Sequence, residues 1–268
     1  MTIALYIRTI DAVMQPVLQR LEQLLVDRGV AVRRVADNRL PDGHVDFVLS
    51  IGGDGTLLSA AHLVADRAIP VVGVNFGHLG FLTTAGKEDV DTLVNDLLAG
   101  HYTIEERTMI HTSCSPQLPD AALLPSALNE VTLHRVDNVS LLRTELYVNG
   151  QFVSLYSGDG VIIATPTGST AYSLSCGGPI LTPDSGCFVI TPVAAHSLSL
   201  RPIIVPDSAV ITLCPQTHGE PVALAVDSTT CAIASGNTVT LRRAETRLPL
   251  VRLNNQHFFS ALHEKLAL

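Results

Sequence analysis

The residues with the clearest chemical potential lie in Gly52–Thr56, which reads GGDGT. This segment follows the apolar run Phe47–Ile51 and precedes the helical pattern Leu57–Ala65, so we expect a turn between a strand and a helix. Open α/β sheets bind ligands at such strand ends, and glycines together with the first N–H groups of a helix favour a phosphate. Asp54 would repel a phosphate, so we expect it to meet a hydroxyl group or a metal ion. A plain tight turn with Asp54 as the helix N-cap is the alternative.

A second cluster of glycines and small hydroxyl residues follows later in the chain. Gly158-Asp159-Gly160 is followed by Thr165–Ser175, which reads TPTGSTAYSLS, and by Gly177-Gly178-Pro179. Such residues suit a cradle in which main-chain groups line a ligand, and a turn-rich β loop is the alternative. Two shorter pieces, GHLGF at Gly77–Phe81 and the pair Asn129-Glu130, are weaker signals that packing or a solvated surface could also explain.

Other phosphate and metal motifs are absent from the sequence. It contains no GxxxxGK[ST] segment, no GxGxxG after a strand and no HExxH. The ten histidines are scattered without zinc-ligand spacing, so we predict no metal site built by the protein itself.

Taken together, these motifs resemble the bacterial NAD kinase family. GGDGT, GHLGF, Asn-Glu, Asp-Gly, TPTGSTAYSLS, GGP and the VDS at Val226–Ser228 match it in order and spacing, over essentially the whole chain. GGDGT alone is shared with diacylglycerol and sphingosine kinases, whereas the long run is more specific. The resemblance implies magnesium-dependent transfer of a phosphoryl group from ATP to the 2′-hydroxyl of the adenosine ribose of NAD, giving NADP. A lipid kinase and a non-catalytic NAD-binding sensor are the alternative functions.

The resemblance also implies roles for single residues. Asp54 corresponds to the catalytic base at the ribose hydroxyl, and Gly55 to its neighbour on the phosphate side. Phe81 corresponds to an aromatic residue beside the adenine. Asn129 and Glu130 correspond to a pair that contacts ribose hydroxyls.

A nucleotide-binding wall is implied in the second half of the chain. Its members are Asp159, Thr170, Ala171, Tyr172, Ser173, Leu174, Ser175 and Ala194. Asp227 matches an acid near the nucleotide whose role the sequence leaves open. The chain departs from many relatives at Ser157, where they carry a basic residue, which puts one contact to a substrate phosphate in doubt.

The resemblance further implies ligands and assembly. Mg²⁺ or another divalent cation would arrive with ATP, and no tightly bound cofactor is expected. The chain would self-associate, as a homotetramer or a homodimer. A β-rich second half with few charges gives this mild support, because a partner could cover one sheet face.

The elements that must position these residues change along the chain. Thr2–Arg8 and Val71–Val74 read as strands, whereas Ala12–Asp27 and Val90–Leu98 carry apolar residues at helical spacing. This alternation predicts βαβ units and a parallel sheet.

The remainder reads as short strands. Asn149-Gly150 between two β-rich runs predicts a hairpin, and further runs are Val161–Ala164, Cys187–Thr191, Ile203–Val205, Val210–Leu213, Val222–Val226 and Thr238–Arg242. The expected fold is therefore an N-terminal α/β domain with a parallel sheet (1–105) and an all-β, sandwich-like domain (106–250). We expect the tail 251–268 to be helical and to dock on the first domain.

Composition narrows the function classes. Of the 268 residues, 47% are hydrophobic and 16% charged, which favours a packed core over disorder. The formal charge of −8 and two lysines make nucleic-acid binding an unfavourable hypothesis. No apolar run reaches the length of a membrane span, and the first residues lack the basic start of a signal peptide. Five cysteines without CxxC spacing suggest reduced thiols, so we expect a cytoplasmic protein with no membrane association.

Overall fold

The structure is a computed structural model. It describes residues 1–9, 12, 14–65, 67–76, 80–117, 124–136, 141–216, 220–234, 236–253 and 257–266. The chain forms two compact units, Met1–Arg107 with Arg247–Leu268, and Thr108–Thr246. The boundaries predicted from the sequence were residues 105 and 250, and the units of the structure change at residues 107 and 247.

The first unit combines a sheet with helices. Its elements are β1 (Thr2–Ile7), α1 (Met14–Asp27), β2 (Ala31–Arg34), β3 (Phe47–Ile51), α2 (Asp54–Val64), β4 (Val71–Asn75), β5 (Ala85–Gly86), a 3₁₀ helix (Lys87–Asp89), α3 (Val90–Ala99) and β6 (Tyr102–Arg107). After the second unit, the chain returns to add β18 (Leu248–Leu253) and α5 (Phe258–Leu266). The strand order is β2-β1-β3-β4-β18-β6, with β5 beside β4. All neighbouring strands in this sheet run parallel, except that β18 and β6 are antiparallel to each other.

Local sequence explains these elements. β3 and β4 are buried at every position, as expected for continuous apolar runs in a parallel sheet covered on both faces. In α3, Val90, Leu93, Val94 and Leu97 are buried and follow the spacing of one helix face. Gly100 ends α3 in the left-handed conformation, with φ of 76°.

The second unit consists almost entirely of strands. They are β7 (Ile110–Ser115), β8 (Glu130–Arg135), β9 (Leu142–Val148), β10 (Gln151–Gly158), β11 (Gly160–Ala164), β12 (Cys187–Val193), β13 (Ile203–Pro206), β14 (Ile211–Gln216), β15 (Val222–Val226), β16 (Thr229–Ile233) and β17 (Thr238–Arg243). A 3₁₀ helix (Thr167–Thr170) and the single turn α4 (Tyr172–Ser175) interrupt them. The two sheets run β10-β9-β14-β17-β7 and β13-β12-β11-β8-β15-β16, all antiparallel.

The two sheets share one apolar core. Leu146 and Leu213 of the first sheet pack in the same cluster as Val131 and Phe188 of the second. The fold class predicted from the sequence, an α/β unit with a mostly parallel sheet plus a sandwich-like all-β unit, is confirmed. The hairpin at Asn149-Gly150 is also confirmed, because Val148 pairs with Gln151 and both turn residues have positive φ.

Several strands have no counterpart in the sequence prediction, among them β2, β6, β7, β8, β16 and β18. β18 lies inside the first sheet and all six of its residues are buried. It contains Pro249 and Arg252, and residues of these types are unusual in an interior strand, so no clear strand signal is present there. The segment assigned to the tail therefore begins within this strand, and its helix is α5. None of the helices in the described ranges is long and apolar enough to cross a membrane.

Candidate functional site

The GGDGT segment forms the turn between β3 and α2. Gly52 has φ of 143°, and a Cβ added there would lie 2.5 Å from Oγ1 of Thr56. Only glycine fits such a turn without strain. Gly53 is the N-cap of α2 and Asp54 its first residue, so the alternative with Asp54 as the N-cap is wrong. A Cβ added at Gly53 or Gly55 would meet open space, which leaves room for a ligand beside the helix start.

The Asp54 carboxylate is held by main-chain groups of another segment. Oδ2 accepts the N–H of Phe81 at 2.9 Å, and Oδ1 accepts the N–H of Leu82 at 3.2 Å. Gly80 makes this approach possible, because a Cβ there would lie 1.9 Å from Oδ1 of Asp54. The N–H of Gly80 donates to Oγ1 of Thr83 at 2.8 Å, which closes the turn. Asp54 is therefore fixed at the carboxyl end of a parallel strand, the ordinary ligand side of such a sheet.

Phe81 thus contributes its main chain to the site. Its ring packs against Phe258 of α5, with ring centroids 6.4 Å apart. The expected position of this ring beside an adenine stays a prediction. Gly77–Leu79, the first part of the GHLGF motif, lies outside the described residues.

Asp227 organises the corresponding region of the second unit. It lies in the tight turn between β15 and β16 with φ of 48°. Its carboxylate accepts the N–H groups of Leu128, Asn129 and Glu130 at 2.8, 2.9 and 3.0 Å. Three charge-assisted hydrogen bonds fix the main chain of the Asn-Glu pair. The sequence left the role of Asp227 open, and the structure places it as this anchor.

Glu130 sits in an unusual environment for a carboxyl group. Burial, and secondly the charge of Asp227, raises the pKa of Glu130 to about 8. Among the described residues, Oε2 of Glu130 has no hydrogen-bond partner and is buried. Asn129 and Glu130 are both half-buried, which is less solvent exposure than the solvated-surface alternative implies. A carboxyl in this state is largely protonated near neutral pH and can donate a hydrogen bond to a ligand oxygen.

The TPTGSTAYSLS run packs directly on this pair. A Cβ at Gly168 would lie 2.1 Å from the carbonyl oxygen of Asn129, so the run passes over the pair at the closest possible distance. The N–H of Thr165 donates to that oxygen at 2.9 Å, and Oγ1 of Thr165 donates to the carbonyl of Leu128 at 2.5 Å. The run is therefore a short helical crossing rather than a free β loop.

The members of the predicted wall differ in their exposure. Thr170, Ala171 and Leu174 are half-buried, and Tyr172, Ser175 and Ala194 are exposed. Ser173 is fully buried, with Oγ 2.8 Å from Oγ1 of Thr191. Its hydroxyl is thus occupied inside the fold and supports the wall from behind.

Asp159 and Tyr172 have partners on β8 that the sequence analysis missed. Nε of Arg135 lies 2.9 Å from Oδ1 of Asp159. The ring of His134 stacks on Tyr172, with centroids 5.5 Å apart and an angle of 26°. His134 is opposite Gly160 in the sheet, where a Cβ would lie 2.9 Å from Nδ1 of His134. Only the pairing of β8 with β11 brings these residues together, so no local signal could have revealed them.

The predicted residues therefore fall into two groups. Asp54, Gly55 and Phe81 belong to the first unit. Asn129, Glu130, Asp159, Ala194 and the wall segment Thr170–Ser175 belong to the second unit. Within the described part of the chain, no group of three or more His, Cys, Asp or Glu side chains is arranged to hold a metal ion.

Comparison with known proteins decides the family. The ATP-NAD kinase N-terminal domain model matches residues 11–102, and the ATP-NAD kinase C-terminal domain model matches residues 128–253. The chain belongs to the NAD kinase family. The two matches contain the Asp54 turn and the Asn129–Ser175 region respectively.

Individual relatives agree with this family. An NAD kinase of Flavobacterium psychrophilum is 38% identical over 84% of this chain and 76% of its own length. An NAD kinase of Moorella thermoacetica is 40% identical over 82% of this chain and 70% of its own length.

Solved structures share the fold. An NAD kinase from Archaeoglobus fulgidus in complex with ATP superposes with a TM-score of 0.83 at 26% identity, covering all of this chain and 99% of the other. Yeast NADH kinase complexed with NADH has a TM-score of 0.89 at 20% identity, over 99% of this chain and 87% of the other. At 20% identity the second likeness concerns the fold alone.

Gly80→Ala tests the placement of Asp54 in this NAD kinase family member. The new Cβ would collide with the Asp54 carboxylate and force it away from the N–H groups of Phe81 and Leu82. A displacement of about 1 Å can cost roughly 10²-fold in turnover, so we expect kcat for NADP formation to fall by about that factor. Gly186→Ala is the matched control, because a Cβ there meets nothing within 4 Å. Unchanged turnover in Gly80→Ala would show that this placement does not matter for catalysis.

Glu130→Gln tests the raised pKa of Glu130. The pKa of Glu130 is about 8 in the folded state, above the ordinary 4.5. The contribution of this carboxyl group to the free energy of unfolding is therefore complete below about pH 4.5 and is lost as the pH rises through about 8. Glutamine cannot ionise, so the Tm of Glu130→Gln relative to wild type should increase between pH 5 and pH 9. Glu264→Gln, at an exposed position on α5, serves as the control. A Tm difference that stays constant across this range would contradict the assignment.

Proposed function

We propose that the chain transfers the γ-phosphoryl group of ATP to the 2′-hydroxyl of the adenosine ribose of NAD, giving NADP and ADP. Membership of the NAD kinase family supports the donor and the acceptor. The single observation that supports the residue-level mechanism is the Asp54 carboxylate, fixed by the N–H groups of Phe81 and Leu82 at the start of α2.

Asp54 is the proposed base of this reaction. A carboxylate is far too weak a base to ionise a ribose hydroxyl before the reaction. Phosphoryl transfer, however, passes through a loose transition state in which positioning and charge neutralisation dominate. Asp54 would align the hydroxyl and accept its proton late, as the new bond to phosphorus forms and the bond to the ADP oxygen breaks.

The phosphates are proposed to meet main-chain groups and a cation. Gly55 lies in the first turn of α2, where N–H groups and the helix dipole favour an anion, and the space beside it is open. Magnesium, or another divalent cation, would enter as part of the substrate Mg–ATP and neutralise charge on the phosphates.

The nucleoside parts are proposed to contact the second group of residues and one aromatic side chain. Asn129 and Glu130, held by Asp227, would bind ribose hydroxyls, with protonated Glu130 as a hydrogen-bond donor. Asp159 and the exposed Tyr172 would contact the nucleotide, and the other wall residues would shape its surroundings. Phe81 would flank the adenine.

The alternative functions are less well supported. A lipid kinase would share the GGDGT segment, but the family match extends through residues 128–253, which contain TPTGSTAYSLS. A non-catalytic NAD sensor would have no need for a carboxylate held as Asp54 is held.

Location and assembly are also proposals. None of the five cysteines forms a disulfide, as is usual in the reducing cytoplasm, so we infer a cytoplasmic protein. We infer self-association, as a homodimer or homotetramer, from β10, which is an edge strand that exposes Phe152 and Val153. Exposed apolar edge strands commonly pair with another chain.

Asp54→Asn tests the proposed base. The amide keeps the size of the side chain but cannot accept the proton, and general-base catalysis typically contributes about 10²–10⁴-fold. Purified wild-type protein with ATP, Mg²⁺ and NAD should form NADP. The kcat of Asp54→Asn should be lower by a factor in this range, with a modest change in KM for NAD.

The same assay separates the alternatives. Diacylglycerol in place of NAD should not be phosphorylated. NADP formation by Asp54→Asn at the wild-type rate would reject Asp54 as the base. Wild-type protein that binds NAD but forms no NADP would favour the sensor.

Substitution on β10 tests self-association. Light scattering of the wild type should give a mass of two or four chains, and Phe152→Ser with Val153→Ser should lower it, because two exposed apolar side chains leave the proposed contact. Leu198→Ser is the matched control, since Leu198 is 88% exposed and lies outside β10, in the loop between β12 and β13. A monomeric wild type, or an unchanged mass in the double variant, would reject this interface.

A further inference from the structure

Arg252 is a charged residue in an unfavourable place. It lies on β18, an interior strand whose six residues are all buried, and it is 8% exposed. Burying a guanidinium costs stability unless hydrogen bonds and an opposite charge compensate, and an apolar residue often serves a core equally well. The contacts of Arg252 therefore indicate what the charge does there.

Those contacts converge on one segment. Nη2 of Arg252 donates to the carbonyl oxygen of Phe81 at 2.7 Å, and Nη1 donates to that of Thr83 at 3.5 Å. The guanidinium thus bridges two carbonyl groups of the segment whose N–H groups hold Asp54. Arg252 is 171 positions from Phe81 in the chain, so only the insertion of β18 into the sheet creates this contact.

Glu105 of β6 balances the charge. It accepts Nε of Arg252 at 3.2 Å and also Nη2 of Arg107. Burial alone would raise the pKa of Glu105, but the charges of Arg107 and Arg252 outweigh it and lower this pKa below its usual value. Glu105 therefore stays ionised and keeps Arg252 in place. Arg107 belongs to the same cluster through its ion pair with Glu105.

The geometry connects Arg252 to Asp54 through a single peptide group. The carbonyl of Phe81 and the N–H of Leu82 belong to the same planar unit and point in opposite directions. Arg252 binds the carbonyl end, and Oδ1 of Asp54 accepts the N–H end at 3.2 Å. Rotation of this plane would break both hydrogen bonds at once. A charge on the carbonyl side also strengthens the N–H as a donor, because hydrogen bonds in a chain polarise one another.

We propose that Arg252 is a positioning residue for phosphoryl transfer, which fixes the peptide plane between Phe81 and Leu82 and thereby the carboxylate of Asp54. This inference rests on the proposed role of Asp54 as the base. Arg252 touches no substrate in this scheme. Its effect should therefore appear in kcat, where the alignment of the hydroxyl matters, rather than in the KM for either substrate.

Arg252→Met and Arg107→Met form a matched pair of variants of the full chain. Both remove a buried guanidinium from Glu105, and the hydrogen bonds to the carbonyl groups of Phe81 and Thr83 are lost in the first variant. At a temperature well below both Tm values, we expect Arg252→Met to lose about 10²-fold in kcat with KM for NAD and Mg–ATP changed less than about threefold. Arg107→Met should keep kcat within about threefold of the wild-type value, even if its Tm falls as far as that of Arg252→Met. Equal losses of kcat in the two variants would assign Arg252 a merely structural role.

A double-variant comparison makes the test specific to Asp54. In the Asp54→Asn background, Arg252→Met should cost less than about threefold, because residues that act as a unit have non-additive effects. A full, independent loss in that background would overturn the proposal. Arg252→Lys keeps a charge but lacks the rigid planar fork of the guanidinium, and it should recover part of the lost turnover. If Arg252→Met does not fold, Arg252→Lys takes its place in both comparisons. Its loss of kcat should then be smaller in the wild-type background and should vanish in the Asp54→Asn background.

The two proposals fail in different ways. Wild-type turnover of Asp54→Asn would remove the base and the positioning role together. An inactive Asp54→Asn with wild-type kcat in Arg252→Met or Arg252→Lys would reject the positioning role alone.

Discussion

In each of the two units, main-chain N–H groups beside the predicted site residues donate hydrogen bonds to one carboxylate. Asp54 accepts two such groups from Phe81 and Leu82, and Asp227 accepts three from Leu128, Asn129 and Glu130. Because one partner is charged, these bonds are stronger than those between neutral groups. The anchoring uses the main chain of each segment. The side chains of Phe81, Asn129 and Glu130 are therefore not needed to hold their own loops and can serve a ligand.

This arrangement requires close approach, which glycine provides. Gly80 admits the Asp54 carboxylate, Gly168 admits the main chain of Asn129, and Gly178 lies where a Cβ would be 2.2 Å from Oγ of Ser173. In each case the neighbouring atoms belong to a residue of the candidate site or its wall. These glycines matter because they have no side chain. A larger residue at any of them would displace the neighbouring group, which is the Asp54 carboxylate, the Asn129 main chain or the Ser173 hydroxyl.

The chain carries more acidic than basic side chains, 25 against 17, which gives a net charge of −8. The proposed phosphate contacts are a helix start and the metal ion of the substrate. Burial raises the pKa of Glu130 to about 8, so its carboxyl group is largely uncharged near neutral pH. This lowers the repulsion that an anionic group beside Glu130 would meet. Arg252, which is buried, is directed at carbonyl oxygens within the fold.

The sequence by itself determined the features that depend on a few neighbouring residues. The glycines around Asp54 specified the turn between β3 and α2, the apolar runs specified parallel strands, and Asn149-Gly150 specified the hairpin, because each follows from local dihedral angles and periodicity. The contacts of Asp227, His134 and Arg252 and the place of β18 come from the tertiary structure alone. Asp227 is 99 positions from Leu128, and Arg252 is 171 from Phe81. Contacts across such separations depend on strand order and register, which local patterns do not encode, and the buried charge and proline of β18 run against the usual strand signal.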